Sequence, residues 1–185
     1  MQKREETKKI YIVVSQTGSM LSRIIKIVTS CDYSHSSIST CEDLREMYSF
    51  GRKHAYNPFI GGFVSESVYY GTMKRFKNTR SIIVSLEVDE ETYEQIEERL
   101  HDMYSQKENY NYDILGLFLA SLHINYVRKN KYYCSEFVRD VLVRSQVDGY
   151  EELKAICHPM DFIGLPNAEV IYAGRLNDYP LMYQE

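Results

Sequence analysis

The chain has no tryptophan, only 4 prolines and 9 glycines among 185 residues, and no long uninterrupted hydrophobic run. The longest apolar stretch near the amino terminus is Ile10-Tyr11-Ile12-Val13-Val14, preceded by charges of both signs, which is too short for a secretory signal. The most apolar later stretch, Ile114 to Ile124, is interrupted by Ser121 and His123 and falls well short of the roughly 20 residues that span a bilayer. A cytoplasmic protein without an integral membrane segment is expected. There is also no strongly basic half: 22 basic and 26 acidic residues are spread along the chain for a net charge of −4, so no electrostatic footprint for nucleic acid is present. No C-x-x-C pair occurs, since Cys31, Cys41, Cys134 and Cys157 stand far apart, which argues against a structural zinc site and a thioredoxin-like motif. No metal or other cofactor is expected, and in a reducing compartment the cysteines are free thiols.

What is present is enough for one continuous core. A 44% share of hydrophobic residues over this length suits a single domain spanning residues 1–185, without repeats or low-complexity tracts. The 17 tyrosines suit core edges whose hydroxyls stay wet. Ile10 to Val14 reads as a buried strand, and apolar spacings of three and four from Ser19 to Ser30 read as an amphipathic helix. His35 to Thr40 and Arg45 to Phe50 read as a β-hairpin. Gly51 to Gly62 reads as a long surface loop, and Phe63 to Tyr70 as strand or irregular chain. Ser81 to Val88 reads as a strand, and Asp89 caps a helix ending near Ser105 with Tyr93, Ile96, Leu100 and Met103 on one face. A buried helix is predicted from Asp113 to Leu122, ended by His123 as a cationic cap. Beyond a basic loop, Arg128 to Lys131, a helix runs from Cys134 to Ser145. A helical turn is predicted at Pro159 to Phe162 and a last strand at Glu169 to Ala173. This order gives an α+β fold, with helices packed on a mostly antiparallel sheet.

Cys134 opens an amphipathic pattern whose buried stripe is Phe137, Val138, Val141 and Leu142, so its sulfur sits in a first helical turn. Unpaired N–H groups and the helix dipole there favour a thiolate, lowering a cysteine pKa from about 8.5 to roughly 3.5–7.5. The same N–H groups can receive an oxyanion, each such donor being worth about 10²- to 10³-fold in rate. A thiolate also needs a proton carrier. Of His35, His54, His101, His123 and His158, His35 is best placed, because it opens a strand where a sheet can hold the imidazole against a helix terminus. The alternative is structural: a buried helix cysteine and a hydrogen-bonded strand histidine.

Tyr33-Ser34-His35-Ser36-Ser37-Ile38 resembles the histidine strand, and Tyr132-Tyr133-Cys134-Ser135-Glu136-Phe137-Val138 the nucleophile helix, of the permuted NlpC-like family of papain-fold amidases, the YiiX-type proteins. In this group the histidine precedes the cysteine, as here. Tyr112-Asp113 and Pro159 to Phe162 extend the resemblance over roughly residues 10 to 165. It implies a circularly permuted papain-like fold of NlpC type, with Cys134 as nucleophile, His35 as general base and an acyl-enzyme intermediate. The family adds a polar residue on the following strand to orient the imidazole. This chain departs from the pattern there, reading Glu46-Met47-Tyr48-Ser49-Phe50, and alternation sets Ser49 against Glu46 and Tyr48. Ser49 is the candidate orienter, Glu46 the runner-up.

The expected activity is a thiol amidase or peptidase acting on a small peptide or other amide, such as a cell-wall-derived fragment. A second reading is a lipid acyltransferase or thioesterase on the same fold, which calls for an exposed apolar patch or amphipathic membrane helix. A third is a non-catalytic binding module using the same cleft. The sequence leaves the oligomeric state open.

Overall fold

In the computed structural model the described residues are 7–17, 32–54 and 57–183, with the side chains of 54, 57–59, 182 and 183 set aside. The helix predicted from Ser19 to Ser30 lies outside them. In chain order the elements are strands β1 (Thr7–Gln16), β2 (His35–Ser39), β3 (Met47–His54) and β4 (Asn57–Glu66), helix α1 (Gly71–Arg75), strand β5 (Arg80–Asp89), helix α2 (Glu90–Ser105), strand β6 (Asn111–Tyr112), helix α3 (Ile114–Ser121), strand β7 (Lys131–Tyr132), helix α4 (Cys134–Arg144) and strand β8 (Ala168–Arg175). A six-stranded sheet runs β4-β3-β2-β1-β5-β8, and every neighbouring pair in it is antiparallel. The short β6 and β7 pair in parallel apart from it. The fold is therefore α+β on a mostly antiparallel sheet.

The centre of the sheet is legible in β1. Successive side chains on a strand point to opposite faces, and both faces here are covered. Ile10, Ile12 and Val14 join one cluster with Leu100 of α2 and Phe137, Val138, Val141 and Leu142 of α4. Tyr11 and Val13 join a second with Leu44, Met47, Ile83 and Leu176. A run without polar alternation is what a strand buried on both sides requires. Helix α2 starts where expected: Asp89 Oδ1 accepts the Thr92 backbone N–H at 2.7 Å, Glu90 and Glu91 occupy the first turn, and Ile96, Leu100 and Met103 are buried.

Two expectations are corrected. The described residues between Gly51 and Gly62 do not form a surface loop: they belong to the paired strands β3 and β4, with Gly51 opposite Gly62 and Arg52 opposite Gly61. The glycines serve close packing instead of turning. A Cβ on Gly61 would stand 2.8 Å from Tyr112 Cβ, and one on Gly62 would stand 2.7 Å from the Tyr110 carbonyl oxygen. Helix α3 exists, but it is not a buried helix. Only its Gly116 and Ala120 are buried, while Ile114, Leu115 and Phe118 are about half exposed. Its end is closed through the backbone: His123 takes the left-handed conformation at φ 59°, its N–H bonds the Ala120 carbonyl at 2.9 Å, and the Ile124 N–H bonds the Leu119 carbonyl at 2.9 Å. That is a Schellman closure, which needs no charged side chain.

Candidate active site

Helix α4 packs across β2 and β3, and its first residue, Cys134, arrives beside the start of β2. The stripe Phe137, Val138, Val141 and Leu142 is fully buried, each side chain contributing roughly 1.5–3 kcal/mol. This packing fixes where the helix begins. Glu136 closes the entry by accepting the Tyr133 N–H at 3.3 Å, and burial raises its carboxyl pKa to about 7. Ser135 Oγ donates to the Cys157 carbonyl at 2.6 Å, tying the first turn to the chain that follows.

Cys134 is 2% exposed, with Sγ 3.8 Å from the Ser34 carbonyl oxygen. His35, the first residue of β2, lies alongside. Burial opposes a charge on the thiol, but the His35 hydrogen bond and charge, with the backbone N–H groups of Ser36 and Ser135, outweigh it and bring the thiol below its ordinary pKa. Burial likewise opposes a charge on the imidazole. The Glu66 carboxylate and the hydrogen bond with Cys134 reverse this and raise its pKa to about 10. A thiolate facing an imidazolium is the state these groups favour.

The imidazole is oriented by Glu66, a residue the sequence reading did not single out. His35 Nε2 donates to Glu66 Oε2 at 2.9 Å and approaches Oε1 at 3.1 Å, leaving Nδ1 as the ring nitrogen available to sulfur. Ser37 Oγ donates to Glu66 Oε2 at 2.7 Å. Burial would raise the carboxyl pKa, but the charge and hydrogen bond of His35 and the hydroxyls of Ser37 and Ser49 hold it below the usual carboxylate range. Register explains the convergence. Ile38 opposite Tyr48 places Ser37 opposite Ser49, while Met47 pairs with Glu66, so alternation puts His35, Ser37, Ser49 and Glu66 on one face.

Ser49, the predicted orienter, is fully buried on this face beside Glu66. Its Oγ makes no hydrogen bond of ordinary length among the described residues, although its dipole helps to keep Glu66 charged. It does not bond the imidazole. Glu46, the runner-up, projects from the other face and accepts from Ser65 Oγ at 3.1 Å. The signal for Glu66 was an acid within Val64-Ser65-Glu66-Ser67-Val68, at the end of a strand whose alternation is broken.

Tyr112 completes the surroundings of the sulfur. Burial and the neighbouring Cys134 raise its phenol well above the ordinary value, so its hydroxyl stays protonated and can donate. Leu117, Ala120 and Ser121 of α3, with Tyr33, His158 and Pro159, close a cleft of about 10 Å³ over Cys134, room for about one water. A roomier cavity of about 490 Å³, lined by Glu87, Asp89, Asp148 and Glu169 among others, shares no lining residue with it and has neither cysteine nor histidine in its lining. Among the described residues no cluster of three or more His, Cys, Asp and Glu side chains is arranged to hold a metal ion. Cys157 is buried and its thiol pushed strongly upward by burial, and Cys41 is raised for the same first reason, so Cys134 differs from both.

Comparison with known proteins finds no matching family model and no matching curated protein.

Proposed function

We propose that the chain is a cysteine hydrolase of permuted papain-like, NlpC-type fold, acting on an amide bond of a small peptide or related substrate in a reducing compartment such as the cytoplasm. One observation carries this reading: the His35 imidazole is held between the Glu66 carboxylate and the Cys134 sulfur at a helix start. Cys134 Sγ attacks the substrate carbonyl carbon, and backbone N–H groups of the first turn of α4 receive the developing oxyanion. The C–N bond breaks as His35 gives its proton to the leaving amine. Water, deprotonated by His35, then cleaves the thioester, releasing the acid and restoring the thiolate. Glu66 holds the ring's orientation and stabilises the imidazolium throughout.

The second reading, acyl transfer from or to a lipid by the same thiolate, gains from the exposed apolar residues of α3 beside the cleft. Both readings pass through an acyl group on Cys134. Incubation with amide, ester and thioester acyl donors, followed by peptide mass spectrometry, separates them by donor class. The acyl mass is expected on Cys134 and is lost in Cys134→Ala. An unmodified Cys134 with every donor class contradicts both.

A further inference from the structure

Between Asp113 and Glu136 the chain contains no aspartate or glutamate, although the whole chain carries 26 acidic residues. The same stretch holds Arg128, Lys129 and Lys131 and, among the described residues, most of the large apolar side chains that face solvent. Ile114, Leu115, Phe118, Leu122, Ile124 and Val127 are 47–72% exposed, and Tyr126 is 48% exposed. A helix that is apolar nearly all round is normally buried in a core or a membrane. Scattered exposed leucines need no explanation, but a contiguous group of this kind marks an interaction surface.

The excursion is also anchored, which separates it from a loose loop. At its base Asn111 and Tyr112 pair in parallel with Lys131 and Tyr132. Buried Asp113 caps α3 through the Gly116 N–H at 2.6 Å and forms an ion pair with Arg128, whose Nε lies 3.0 Å from Oδ2. Apolar residues 114–127 are thus displayed from a rigid base. Lys129 is exposed beyond it and Lys131 half-buried, and neither forms an ion pair among the described residues. Helix α3 turns its small buried side, with Leu117, Ala120 and Ser121, to the Cys134 cleft.

We infer that the 114–131 excursion is a docking surface for an anionic lipid bilayer, with the apolar side chains entering the acyl boundary and the lysines meeting the headgroups. Local charge decides the occupant. An acid-free, lysine-bearing rim on a protein of net charge −4 complements an anionic surface, each lysine near such a surface contributing about 1 kcal/mol, or roughly fivefold. No described helix is long and apolar enough to cross a membrane, and the inferred contact is a peripheral one. This docking stands apart from the catalytic reading.

The test is vesicle flotation of the full chain with phosphatidylcholine alone and with added phosphatidylserine, using the native protein, Phe118→Asp/Leu122→Asp, Lys129→Glu/Lys131→Glu and Cys134→Ala. Circular dichroism and thermal unfolding without vesicles check the fold of the first two variants, and Cys134 alkylation of the native chain is read separately. The native chain is expected to float with phosphatidylserine vesicles. The apolar pair of substitutions weakens this at least about tenfold, the lysine pair weakens it only where phosphatidylserine is present, and Cys134→Ala leaves it unchanged. Absence of flotation by the native chain overturns the inference, as does binding indifferent to both pairs. A dimer that Phe118→Asp/Leu122→Asp converts to monomer without affecting flotation assigns the face to a second copy and overturns it too. Intact flotation with an unreactive Cys134 contradicts the hydrolase reading alone.

Discussion

Helices α3 and α4 stand within a short distance in sequence, both rich in large apolar residues, yet they use them in opposite ways. In α4 the apolar residues recur on one stripe, and the stripe is buried: Phe137, Val138, Val141 and Leu142 face the sheet while Arg139 and Arg144 face out. In α3 the large residues Ile114, Leu115 and Phe118 lie outward, while small Gly116 and Ala120, with Leu117, face the protein. The difference teaches that hydrophobic content alone does not say where a helix sits. Its periodic segregation does, and α3 has little.

Truncation sharpens this contrast most. Phe137→Ala leaves a hole among Phe50, Phe63 and Tyr132, and is expected to cost about 3–5 kcal/mol in chemical denaturation. Phe118→Ala, at 54% exposure, is expected to change stability by no more than about 0.5 kcal/mol. Equal losses would mean that α3 is part of the core.

Next in size is the base of the excursion. Asp113→Ala removes a cap and leaves Arg128 without its partner, for an expected loss of about 2 kcal/mol, since Arg128 is partly exposed and can turn to water. Hydrogen exchange should rise first at residues 114–121, with α4 still protected. Uniform exchange would show that the two helices are not independently supported.

Much of the fold was legible because period and capping act locally. The strand at Ile10 to Val14, the strand around Ser81 to Val88 and the Asp89-capped helix follow from alternation and from a side chain three residues from the N–H it receives. The β3–β4 pair was not legible. Its glycines imitate a loop, and their reason, the approach of Tyr110 and Tyr112, arises from contacts distant in sequence. Cys134 and His35 could be singled out from their positions at a helix start and a strand start, and the structure brings them together. Glu66 could not, because it lies 31 residues from His35 and reaches it only through the register of three strands.

Glu66 gives the next prediction. Glu66→Gln removes the charge that holds the imidazolium, so burial acts unopposed and the His35 pKa falls from about 10. The thiolate loses its cationic partner, and Cys134 alkylation near neutral pH should drop by about tenfold, its rise moving to higher pH. An unchanged profile would exclude Glu66 as the positioning residue. Ser49→Ala should have the smallest effect. Its buried hydroxyl makes no hydrogen bond of ordinary length among the described residues and acts on Glu66 only weakly, so a stability change within about 1 kcal/mol and a nearly unchanged alkylation profile are expected. A larger loss than for Glu66→Gln would restore Ser49 as the orienter.

The central claim is tested most directly by the pH dependence of iodoacetamide alkylation at each cysteine, read by mass spectrometry in the native chain and in His35→Ala. The imidazolium is the partner of the thiolate, so the advantage of Cys134 should be present below pH 7, persist as pH rises, and fade as His35 deprotonates near its pKa of about 10. Cys134 should react well ahead of Cys41 and Cys157 and lose that lead without His35. A Cys134 no faster than Cys157, or equally fast in both proteins, would contradict the thiolate and imidazolium pair on which the account rests.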